Sequence, residues 1–333
     1  MRVGNRWRVS PRMRFQDLPD EEIRHLVDSL NSLQEGELGT TMLVACGERA
    51  IPHLRDFLLF GRSSTVAEPR QRAVRALAEL GAKEVLLEYL WTPRQVTDAV
   101  LRFAEEAVEN TAARALGKWQ SEDVFQVLLE IASNRALPGA IETLGAFQRP
   151  EAIPHLIRAL GDDVGRQASG DALRSLGEAA LPALVEAART PDPSRQFESP
   201  SSVLRRREAL RIIADGSLAP EVWPKLRPVL WDPDYDIAAT LARIALRVRA
   251  KEDYGTAVQR MADALECGGW LTAIEIEDSL LEHFQEIQGW IDAELERRSS
   301  ALSAEEQKCD RAVNTFGRVK QRGRAALQSR SSA

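Results

Sequence analysis

The sequence predicts an all-α chain, a solenoid of about seven helix pairs closed by a helical C-terminal cap. Three observations predict it. First, apolar residues recur at i, i+3, i+4 and i+7. In RQRAVRALAEL the residues Val74, Leu77 and Leu80 share a face, and in AIPHLIRAL the residues Ile153, Leu156, Ile157 and Leu160 do the same. That is the period of a helix burying one stripe. Second, alternating runs joined by hairpin turns are missing from the sequence. Third, one phrase returns along the chain as MLVACG, ALAELG, ALGKWQ, TLGAFQ, ALRSLG, ALRIIA and TLARIA.

The leucines of that phrase are Leu43, Leu77, Leu116, Leu144, Leu173, Leu210 and Leu241, at steps of 34, 39, 28, 29, 37 and 31 residues, 33 on average. A unit of this length holds two helices and a turn. One such pair cannot bury its own apolar face, so pairs must stack. Small residues before the leucine, such as Ala115, Ala172 and Ala209, let backbones approach closely. Composition agrees: 44% hydrophobic and 28% charged, but only 6% aromatic, which suits small-residue helix packing better than a β-sandwich.

Taken in order, residues 1–18 form a basic N-terminal segment. Residues 1–15 hold five Arg and no acid, and no apolar run follows, so this is not read as a secretory signal. The repeats are expected over 19–250. Four carry a related phrase with an internal proline: AIPHL at 50–54 and 152–156, ALPAL at 180–184 and EVWPKL at 221–226. Pro52, Pro154, Pro182 and Pro224 are placed in first helical turns, where amides lack intrahelical partners and proline costs little. In the repeat around Pro154, one helix is expected to end near Phe147 and the next to start at Glu151.

The stretch TPDPSRQFESPSSVLRRRE, 190–208, breaks the period as a long turn within one repeat. Phe197 stands alone there among polar residues. Arg205, Arg206 and Arg207 are expected to open the next helix, an unfavourable place for positive charge. Insertions of this kind often carry binding, and also occur as mobile loops with a solvated face. Trp231 and Tyr235 lie in a second turn, LWDPDYD, a rim position suited to an anchor. Trp119 replaces an aliphatic core residue. Residues 251–298 are helical but off the repeat, as in a cap. Residues 299–333 are basic, expected to be disordered or a single loose helix. The total charge is −6; 297–333 carries +6 and 1–15 carries +5, leaving −17 on 16–296. The basic tail could therefore fold back onto an acidic body.

TLGAFQRPEAIPHLIRAL followed by GDDVGRQASGDALRSLGEAALPALVEAA resembles HEAT repeats, most nearly the bacterial type found in PBS-lyase-like proteins. Asp162, Asp163, Val164, Arg166, Ala172, Leu173, Leu176 and Gly177 match its pattern, as do Ala152, Ile153, Pro154 and Leu156. The resemblance covers about 40–250 and is densest over 110–190. It implies a right-handed stack of antiparallel helix pairs whose second helices line a concave, partner-binding face.

Chemistry-bearing motifs do not assemble. His25, His53, His155 and His283 lie outside HExxH spacing, and none is followed by Glu, the pair used by HEAT-type di-iron hydroxylases. GxSxG, GxGxxG and GxxxxGK[ST] are missing. Cys46, Cys267 and Cys309 are far apart and read as reduced thiols of a cytoplasmic protein. No stretch approaches the apolar length of a membrane span.

Arg75, Arg114, Arg166, Arg174, Arg211 and Arg243 fall on second helices, with Arg174 and Arg211 in one register after the key leucine. They read either as a basic ladder or as partners of acids such as Glu142, Asp171 and Glu208. The expectation is thus a non-enzymatic adaptor without cofactor or metal. It would bind another protein through Phe197, Arg205, Arg206, Arg207, Arg211, Arg174, Trp231 and Tyr235. The competing classes are a DNA-glycosylase-like nucleic-acid binder, disfavoured by the acidic body, and a bilin-lyase-like enzyme.

Overall fold

A computed structural model of the chain describes residues 15–92, 94, 96–192, 197–216 and 220–331. Most of the basic N-terminal segment and positions 193–196 of the long turn lie outside the described residues. Those that are described form helices and connecting turns without a strand. The chain divides into two compact units, Met1–His155 and Leu156–Ala333.

The first unit holds the pairs α1 (Asp20–Ser29) and α2 (Gly36–Ala45), α3 (Ile51–Phe60) and α4 (Glu68–Glu79), α5 (Lys83–Trp91) and α6 (Ala99–Leu116), and α7 (Glu122–Asn134) and α8 (Pro138–Ala146). Helix α9 (Ile153–Ala159) spans the division. The second unit continues with α10 (Arg166–Leu176), α11 (Leu181–Arg189) and α12 (Pro200–Asp215), then α13 (Trp223–Leu226) and α14 (Tyr235–Arg247). It closes with α15 (Tyr254–Cys267), α16 (Trp270–Glu282), α17 (Phe284–Ala301), α18 (Ala304–Cys309) and α19 (Arg311–Ser331).

The seven phrase leucines fall on α2, α4, α6, α8, α10, α12 and α14, every second helix, and all seven are 0% exposed. Within the first unit α2, α4, α6 and α8 touch in series; within the second α10, α12, α14 and α16 do. This nearest-neighbour stacking is what defines an α-solenoid. Pro52, Pro154, Pro182 and Pro224 are each the second residue of their helix. A short 3-10 turn precedes each of them, as at Pro150–Ala152, so the helix expected from Glu151 begins at Ile153. One close approach requires glycine. A Cβ on Gly139 would stand 2.4 Å from the Asn110 carbonyl oxygen, and the Gly139 amide donates to the Asn110 side chain at 2.6 Å.

Arginines from neighbouring elements close the C-terminal ends of several first helices. Arg72 donates to the carbonyls of Leu30 and Ser32 at 2.9 and 3.0 Å, and Arg94 to those of Leu59 and Gly61 at 2.6 and 2.7 Å. Arg206 reaches the Ala188 carbonyl at 3.0 Å and Arg260 the Asp232 carbonyl at 2.6 Å. Most of these carbonyls lie at or just past a helix end, on the negative side of the dipole, where a guanidinium supplies both a donor and a positive charge.

The first unit also buries an ionic cluster. Arg70 pairs with Glu105, and the Tyr89 hydroxyl donates to Glu105 at 2.9 Å. Arg135 donates to Glu109 at 2.5 Å. Burial pushes the Glu109 carboxyl above the usual range, against the pull of Arg135.

The C-terminal segment differs from the disordered or loose tail expected of it. Over Arg311–Ser331 it is a helix with Ala312, Phe316 and Val319 buried. Those residues sit at i, i+4 and i+7, a stripe that packs α19 against α16 and α17. This stripe lies among six cations, which makes a weak sequence signal, yet it seats the helix.

Candidate functional site

The long turn after α11 ends at Ser199, whose hydroxyl accepts the Ser202 amide at 3.2 Å, and Pro200 follows as the first residue of α12. This is an N-cap followed by proline at N1. The helix therefore begins five residues before Arg205, and the arginines occupy its second turn. The expected clash with the helix dipole does not arise.

The three arginines have different fates. Arg206 is 3% exposed; besides the Ala188 carbonyl it holds Glu198 at 2.7 Å and pairs with Asp232. Its burial corrects the expectation that it faces a partner. Arg207 meets Asp234 at 2.5 Å and Asp236 at 2.7 Å. Arg205 donates to the Thr190 carbonyl at 3.1 Å. Two stretches nominated separately in the sequence, 190–208 and LWDPDYD, are thus tied together by ionic bonds. Asp234 also caps α14, accepting the Ile237 amide at 3.1 Å.

The second-helix arginines do not form a free basic ladder. Arg75 meets Glu37 and Glu68, Arg114 meets Glu142, and Arg166 meets Asp163. Arg174 meets Asp171 and Asp215, Arg211 meets Glu208, and Arg243 meets Glu275. All six are paired with acids, so none offers a free positive charge to a phosphate backbone.

What remains unpaired is aromatic. The residues next to the two acids of Arg206 are Phe197 and Trp231, 79% and 62% exposed. Arg260 lies over the Trp231 ring at 5.8 Å. Tyr235 is partly exposed, and the Cys267 thiol beside it raises its phenol above the ordinary value. Thr272 donates to Asp236 at 2.7 Å, which brings the start of α16 to the start of α14. There Trp270 is 73% exposed, and Leu271 and Ile274 are also exposed.

Sequence reasoning missed the last three. Helix α16 opens WLTAIEI, apolar on several faces, so periodicity could not say that Ile276 and Leu280 would be inside and Trp270 and Ile274 outside. Trp119 lies outside the buried core, contrary to expectation; its place behind Leu116 is taken up by a turn.

Among the described residues, no group of three His, Cys, Asp or Glu could hold a metal ion. Among the same residues, no helix is long and apolar enough to cross a membrane. Cys46 is buried, while Cys267 and Cys309 are exposed free thiols.

A family model described as HEAT repeats matches residues 96–177, from the approach to α6 through α10. The chain contains HEAT repeats. The HEAT match lies inside the stretch where the resemblance was expected and covers 110–177 of its densest part, 110–190. No curated protein matches the chain. A solved structure of human deoxyhypusine hydroxylase in complex with glycerol matches with a TM-score of 0.30 and 16% identity, covering 80% of this chain and 96% of that one. That neighbour is an enzyme, which corrects the expectation of a non-enzymatic chain. At this TM-score it assigns no reaction in its place.

Proposed function

We propose that this HEAT-repeat chain is a scaffold that engages a partner protein through an aromatic surface of its second unit, formed by Phe197, Trp231, Tyr235, Trp270, Leu271 and Ile274. The observation that carries the reading is the Arg206 clamp. One buried guanidinium holds Glu198 and Asp232, and each acid presents an exposed aromatic neighbour. Large aromatics held on a rigid scaffold lose little entropy on binding and are the residues that dominate protein interfaces. The nearby acids Asp232, Asp234 and Asp236 are each tied to Arg206 or Arg207, which offsets part of their charge beside the aromatics, so the surface suits an apolar segment of a partner.

Helices α15 to α17 cap the repeats. Exposed free thiols support a reducing, cytoplasmic setting.

The test is a native pull-down with mass spectrometry, intact chain against Trp231→Ala/Trp270→Ala, followed by calorimetry with the purified protein recovered. Direct binding by the intact chain, weakened at least about tenfold in the variant, supports the reading. Equal binding by both sinks it.

A further inference from the structure

We propose that the outward face of α19 is a binding strip for the phosphate backbone of a nucleic acid. This goes beyond the aromatic surface and stands or fails separately from it. The helix carries six cations and no acid in Arg311–Ser331. Its inward face is fixed by Ala312, Phe316 and Val319, and by Gly323, where a Cβ would stand 2.4 Å from the Phe284 ring. The outward row is Arg311, Asn314, Arg318, Gln321 and Arg322, all exposed.

The cations outnumber their partners. Arg318 and Arg322 share Glu277 at 2.9 and 2.7 Å, and Lys320 and Arg324 share Asp292 at 2.7 and 3.0 Å. Arg311 meets the Gly268 carbonyl at 3.3 Å. Five cations thus face two carboxylates. The acids just N-terminal do not change this count on the strip: Glu306 closes a capping box with Ser303, and Asp310 accepts the Val313 amide at 2.7 Å. Shared, exposed ion pairs are weak, so a polyanion exchanges for them readily.

The kind of polyanion follows from what the row lacks. A protein interface needs an apolar core, and a helix lying on a membrane needs its apolar face free for the lipid. Here the apolar face is spent on α16 and α17, and the exposed row is Arg with Asn and Gln. That is the side-chain set that contacts phosphates. From Arg311 to Gln328 the helix runs about 26 Å, the length of about eight base pairs.

The test is fluorescence anisotropy of the full chain with a labelled duplex of about 20 base pairs, across a salt series. The expected result is binding that weakens with salt at a log–log slope of about −3. Arg318→Ala/Arg322→Ala/Arg324→Ala should weaken it about tenfold or more, with helix content and melting temperature retained, since Phe316 and Val319 are untouched. Glu277→Gln, which frees Arg318 and Arg322, should tighten it. Absence of binding at low salt, equal binding by the triple variant, or equal competition by polyglutamate or phosphatidylserine vesicles would each overturn the proposal.

Discussion

Arg206 and Glu198 form an ion pair at 2.7 Å although the arginine is only 3% exposed. The same guanidinium reaches Asp232 and the end of α11. A charge buried this deeply is tolerated because each of its directions has a partner. Arg206→Ala leaves Asp232 buried and unpaired, so a loss of about 3–5 kcal/mol in folding stability is expected. Urea unfolding measures it. A loss below about 1 kcal/mol would show that the clamp is not needed to hold the two turns.

The phrase leucines should behave as core. Leu173→Ala is expected to cost about 2–5 kcal/mol, and Val164→Ala, at an exposed position of the same repeat, less than about 0.5 kcal/mol. Paired thermal or urea melts compare them. Similar costs at both sites would contradict the stacking described for the second unit.

Gly139→Ala should destabilise the first unit by about 1–3 kcal/mol, because its Cβ meets the Asn110 backbone rather than a movable side chain. Amide exchange should rise in α6 and α8 together. An unchanged melting temperature would show that the two helices separate more easily than their geometry implies.

Glu109 gives a pH signature. Its carboxyl is raised in the fold by burial, so its stabilising contribution is present below the ordinary carboxylate value and is lost as pH rises through the raised one. Glu109→Gln removes that loss. The stability of the variant minus that of the parent should therefore grow as pH rises above about 4, the ordinary carboxylate value. A difference that is flat in pH would show that Arg135 fully offsets the burial.

The helices and their stacking were legible because they rest on period and spacing. Seven leucines at a mean step of 33 residues needed no partner to be seen, and Pro154 declared a helix start by its own covalent limits. The candidate surface was legible only in part. Phe197, Trp231 and Tyr235 stand out by type and context, but Arg206 and Arg207 did not announce that aspartates some 26 residues on would consume them. Ion pairing across repeats depends on which faces meet, and charge counts along a sequence do not carry that. Trp270 and Ile274 were hidden for the opposite reason: α16 is apolar on too many sides for its periodicity to select one.

The central claim is that the aromatic surface contacts a partner protein. The most direct measurement places a photo-crosslinking phenylalanine derivative at position 231, at 270 and, as an exposed control in the same unit, at 164. The chain is then irradiated in its native cell and its adducts identified by mass spectrometry. The account predicts one shared protein adduct at 231 and 270 that is missing at 164. Equal adducts at all three positions, or none at 231 and 270, would contradict it.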